Sequence, residues 1–158
     1  MIMVSMPGQV THGDRLLFRF NPKADCDQAE MITSFYSAGS NPNFVGLEDK
    51  VIGFRFAVDE HNVLNKADSI TSAGGSVVAA SPFLAGHRAL MSFGFLPVEY
   101  WRRWMDGKSA SLVMQEANGI APEAYFDITN NSWALDGFAK TISKASEICR
   151  GSQTEERT

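Results

Sequence analysis

No run of lysine or arginine in this 158-residue chain exceeds two residues, and the net charge is −4. Nucleic-acid binding needs clustered positive charge to displace counterions from phosphates, so no nucleic-acid partner is expected. Arg102 and Arg103 read as solvated surface. No apolar stretch approaches the roughly 20 residues that span a bilayer, so no transmembrane segment is expected. The start, Met1 to Asp14, has no positively charged region and too short an apolar run for a signal peptide. The protein is therefore expected to be cytoplasmic, or periplasmic or secreted if a signal peptide has been removed. Internal repeats and low-complexity segments are missing too.

Catalytic signatures are absent. There is no nucleophile elbow, phosphate loop or dinucleotide fingerprint. Gly74-Gly75-Ser76 lacks the lysine and following helix of a phosphate cradle and reads as a turn. The three histidines, His12, His61 and His87, fall in expected loops without metal-ligand spacing to one another or to a cysteine, so neither metal nor cofactor is expected. His61 follows Asp59-Glu60 and reads as part of a solvated hairpin turn. Asp25 and Asp27 flank Cys26 and oppose its thiolate by like charge, the reverse of what a nucleophile needs. Glu116, Glu123 and Asp127 leave a residual hydrolase reading of the paired-carboxylate kind. Exposed strand carboxylates are common, so no catalytic residue is assigned and the protein is expected not to be an enzyme.

Cysteine is scarce: there are two, Cys26 and Cys149. Each sits beside polar residues, outside the apolar runs where buried free thiols are found. A disulfide between them is expected if the compartment is oxidising, and two unrelated free thiols otherwise. Closing a loop of about 120 residues is worth roughly 4 to 5 kcal/mol by chain entropy.

What is present is a series of short strands. Leu16, Phe18 and Phe20 alternate within Arg15–Phe20, and Ile52, Phe54, Phe56 and Val58 within Val51–Val58. Arg88–Phe95 alternates in the same way, Ser76–Ala80 follows Gly74-Gly75, and Glu30–Ser37 leans to strand through Phe35 and Tyr36. Val63–Ala67 is expected to return antiparallel to Val51–Val58. Gly, Pro and Asn clusters at 38–49 and 82–86 separate these runs. The fold class expected is mainly β, an antiparallel β-sandwich or barrel.

Two short C-terminal helices are expected, about 97–106 and 132–148. Pro97 suits a first helical position, and Val98, Trp101 and Met105 form the apolar stripe of the first. In the second, Leu135, Phe138, Ile142 and Ala145 follow three-and-four spacing. One of Asn130, Asn131 and Ser132 is expected to cap it, and Gly137 stands out as a glycine inside a helix, explained by close packing. Asn130-Asn131-Ser132 also matches a glycosylation triplet, but coincides with that cap. Between the helices, Ala110–Met114 and Tyr125–Ile128 are expected to pair as a hairpin around the Asn118-Gly119 turn. Residues 14–150 are expected to form one domain, preceded by an irregular arm at 1–13 and followed by a disordered polar tail at 151–158.

From Arg88 onward the order is hydrophobic, proline, short helix, Gly-Lys, strand, turn, strand, and a Leu-x-Gly-Phe-x-x-x-Ile helix. Leu96, Gly107, Lys108, Leu112, Val113, Phe126, Ile128, Leu135, Gly137, Phe138 and Ile142 carry it. This resembles the C-terminal third of the invasion-associated locus B family of bacterial periplasmic proteins. The resemblance covers about residues 88–149 and rests on hydrophobic pattern, not on catalytic signatures. It implies an exported β-sandwich without enzymatic residues, with a role in the envelope or in host interaction.

The function expected is therefore binding of a protein partner or an envelope component. A cytoplasmic module, such as an inhibitor or immunity factor with an acidic surface, is the alternative. Large rings on a helix bury much area at low entropy cost, so the binding surface is expected on the 97–106 helix, with Tyr100, Arg103 and Trp104 outward. The sequence does not set the oligomeric state.

Overall fold

The computed structural model describes residues 1–11, 13–37, 43–59 and 73–155. Eight strands form one antiparallel sheet: β1 (Ile2–Pro7), β2 (Arg15–Phe20), β3 (Gln28–Ser37), β4 (Val51–Val58), β5 (Ala73–Phe83), β6 (Gly86–Pro97), β7 (Ser109–Gln115) and β8 (Asn130–Ala134). Their order is β1-β2-β3-β6-β5-β4-β7-β8. The sheet curls until its two rims nearly meet, and Gln9, just past β1, donates its main-chain N–H to the Ser132 carbonyl of β8 at 2.7 Å. The mainly β fold with two C-terminal helices is thus observed as a nearly closed barrel.

Alternation explains the strands. Leu16, Phe18 and Phe20 of β2 are buried between half-buried residues, and Ile52, Phe54, Phe56 and Val58 of β4 line the interior with Leu112 and Met114 of β7. A sheet with one face on the core selects this period of two. One end of the barrel is filled by Phe44, in a 3-10 turn at Phe44–Leu47, whose ring meets Phe126 at 5.4 Å. Helices α1 (Val98–Trp104) and α2 (Phe138–Glu155) cover the other end. There Phe18 packs on Trp101 at 5.2 Å and on Phe138 at 5.5 Å, and the Trp101 indole N–H donates to the Ala29 carbonyl at 2.7 Å.

Several expectations are corrected. Residues 2–7 are not an irregular arm: Ile2 to Pro7 pair with Phe20 to Arg15 along the whole of β2. The second helix does not begin at 132. Residues 130–134 form β8, with Asn131 and Trp133 inward, paired to β7. Gly137 lies ahead of α2 at φ +69, a left-handed conformation that favours glycine, so it makes the turn from β8 into the helix instead of sitting inside it. Residues 125–128 are not a strand; a 3-10 turn at Pro122–Ala124 leads Phe126 into the core, and β7 takes β8 as its partner. Gly74 and Gly75 do not separate strands but belong to β5, where a side chain at Gly75 would meet the Phe54 ring at 2.8 Å. The helix also runs on through 151–155. Val63–Ala67, His12 and His61 lie outside the described residues.

Candidate functional site

The β2–β3 loop is tied to α2 by the disulfide between Cys26 and Cys149, whose Cα atoms are 5.6 Å apart. Three further contacts follow the same strip. The Ser146 hydroxyl donates to the Cys26 carbonyl at 2.7 Å, the Gln153 amide donates to the Pro22 carbonyl at 2.8 Å, and Arg150 pairs with Asp27. The main-chain N–H of Val98 donates to the Asp27 carbonyl at 2.8 Å, so the start of α1 rests on the same loop.

This fastening leaves a groove between the helices. α1 turns Trp101 into the core, which puts Glu99, Tyr100, Arg102, Arg103 and Asp106 on its outer side. α2 buries Phe138, Ile142, Ala145 and Cys149, so the small residues Ala139 and Ser143 form the groove floor and Lys140, Lys144 and Glu147 its far wall. The groove has a volume of about 900 Å³, within the range of ligand-binding clefts. Four basic and three acidic side chains line it, so its lining is of mixed charge and nearly balanced, on a chain whose net charge is −4. Tyr100 is 45 % exposed, and the Arg103 guanidinium stands 5.3 Å from the centre of its ring. Lys144 and Glu147 form an exposed pair at 3.3 Å. A smaller hollow of about 330 Å³ adjoins it, bounded by Arg102, Arg150 and Asp27.

Of the residues expected to bind, the structure brings Tyr100 and Arg103 to this groove. Trp104 is placed differently: it is half-buried against the core, 5.5 Å from Trp101 and 5.9 Å from Tyr100. Its position three residues from Trp101 puts both indoles on neighbouring sides of one short helix. The groove wall contributed by α2 escaped sequence reasoning, since Lys140, Ser143, Lys144 and Glu147 read only as the polar side of an amphipathic helix. Glu116, Glu123 and Asp127 are all exposed along the β7–β8 connection. His87 stacks on Phe44 at 4.9 Å. Among the described residues, no group of three or more His, Cys, Asp or Glu could hold a metal ion. Nor is any helix among them long and apolar enough to cross a membrane.

The fold and the groove define a class: a disulfide-fastened, nearly closed antiparallel β-barrel capped at one end by two helices. Comparison with protein-family models, with curated proteins and with solved structures gave no match.

Proposed function

We propose that this chain is a non-enzymatic, exported binding protein of the bacterial envelope, akin to the invasion-associated locus B family, and that it holds a protein partner in the α1–α2 groove. The observation that carries this reading is the groove itself, with Tyr100 and Arg103 presented on one wall. Aromatic and arginine side chains are the residues most enriched where interfaces concentrate their energy. The disulfide supports the compartment, because such bonds persist where the medium is oxidising. It also holds α2 and the loop beneath α1 in place, so the groove is preorganised.

The test is site-specific photo-crosslinking in intact cells, combined with fractionation and thiol counting. A photoreactive residue at Tyr100 should yield one discrete adduct, whereas one at Val113, which is 43 % exposed on β7, should yield none. The protein should fractionate with the envelope or periplasm and show no free thiol before reduction. Equal adducts from both positions would overturn the groove as the binding surface. Recovery in the cytoplasm with both thiols free would overturn export and favour a cytoplasmic inhibitor-like module.

A further inference from the structure

Between β1 and β2 the chain crosses the open seam of the barrel and lies on β8. The Asn131 side-chain oxygen accepts from Val10 N at 3.1 Å and Thr11 N at 3.4 Å, and its amide donates to the carbonyls of Thr11 at 3.1 Å and Asp14 at 3.3 Å. The same Asp14 carbonyl accepts from the Trp133 indole at 3.3 Å and from Gly8 N at 3.0 Å. The main chain of Asp14 is therefore the knot that holds both rims of the sheet.

Its side chain is the anomaly. Asp14 is 1 % exposed, yet neither carboxylate oxygen makes a hydrogen bond of good geometry, and only the Tyr36 N–H and the Arg88 guanidinium act to stabilise its charge. A buried group of this kind costs far more ionised than neutral. The groups around Asp14 come from four elements. On the seam-crossing segment the Thr11 carbonyl accepts from Asp14 N at 3.1 Å and the Thr11 hydroxyl is buried and itself unpartnered, while β3 offers the carboxylate the main-chain N–H of Tyr36. From β6 comes Arg88, whose Nε is buried without a partner, whose Nη2 donates to the Gly13 carbonyl at 3.4 Å, and whose guanidinium lies 4.0 Å over the Phe83 ring. β8 presents Asn131 and Trp133, whose donors are already engaged by main-chain carbonyls.

We propose that Asp14 is a proton-operated latch on the barrel seam. With the carboxyl protonated, residues 8–11 stay closed on β8; with it ionised, the cost of a buried charge that Arg88 only partly offsets favours their release. Burial pushes the Asp14 pKa from 3.8 up to about 6, against the lowering pull of Arg88 and, less strongly, of the Tyr36 N–H. The value in the closed form is the raised one, so its contribution to closure is complete below 3.8 and is lost as pH rises through about 6. Across that window the ratio of closed to open seam falls by up to about a hundredfold.

Indole N–H signals in nitrogen-15 NMR test this, because Trp133 reports directly on the Asp14 carbonyl and Trp101, bonded to Ala29, serves as a reference. The Trp133 signal should titrate with a midpoint near 6 while Trp101 stays flat. Asp14→Asn, a neutral isostere, should abolish the titration and hold Trp133 at its acid-side position. Arg88→Met should move the midpoint upward, which keeps the idea testable if Asp14→Asn does not fold. A Trp133 signal that is flat between about pH 4.5 and 7.5 would overturn the latch. So would the same titration surviving in Asp14→Asn, which would assign it to a histidine.

Discussion

Cutting the link between Cys26 and Cys149 tests how the scaffold holds its groove. The two residues are 123 positions apart and almost wholly buried, at 3 % and 0 % exposure. Closing a loop of that length in the unfolded chain is worth about 5 kcal/mol by chain entropy. The neighbouring contacts remain in a variant lacking both cysteines. The buried Ser146 hydroxyl bond to the Cys26 carbonyl contributes about 1 kcal/mol, and the exposed Arg150–Asp27 pair adds little. Those contacts keep the loop on α2, so the loss falls chiefly on the unfolded state, and the native fold should persist. The double substitution Cys26→Ala/Cys149→Ala should lower unfolding free energy by about 3 to 5 kcal/mol, roughly 10 to 15 °C in Tm for a chain of this size. Urea unfolding followed by far-UV circular dichroism measures the loss. The m-value should rise as well, because the unlinked chain exposes more surface when it unfolds. A loss below about 1 kcal/mol with an unchanged m-value would refute the loop-entropy reasoning.

Two further substitutions separate scaffold from surface. Trp104→Ala should cost about 2 to 3 kcal/mol, since its ring packs on Trp101 and Tyr100. Tyr100→Ala should cost under about 1 kcal/mol because the ring is half-exposed; thermal melts compare the two, and partner crosslinking should fall only with Tyr100. Gly137→Ala should cost about 1 to 2 kcal/mol, because its φ of +69 is strained for any residue with a side chain. An unchanged urea midpoint would show that the turn into α2 relaxes.

Much of the sheet could be read directly. Arg15–Phe20 and Val51–Val58 declare themselves by alternation, because each lays one face on the core; in Arg88–Phe95 the alternation holds for Ala89 and Met91 and fails by Phe95, which is half-exposed beyond Gly94 at φ +81. Asn118-Gly119 declares a tight turn, and both residues do adopt positive φ, at 54 and 76. β8 was hidden for a physical reason. Its inward residues are Asn131 and Trp133, and an asparagine reads as exposed until its partners, Val10, Thr11 and Asp14, are seen to come from the other rim of the sheet. β1 was hidden likewise: Ile2, Val4 and Met6 alternate, but the run is short and its only sheet partner is β2.

The groove was half legible. Apolar spacing placed Trp101 inward and Tyr100 and Arg103 outward on α1, since a helix has only one core-facing stripe. It did not say that α2 would stand opposite, because helix pairing depends on the disulfide strip and on where β6 and β8 end. Local pattern by itself determined the β class, the main strands, the α1 face and the candidate cysteine pair, all of which follow from side-chain period and residue chemistry. Only the tertiary structure decided the strand order, the closure of the seam, the burial of Asp14 and the second wall of the groove. Each of these rests on contacts between residues distant in sequence, which no local period encodes.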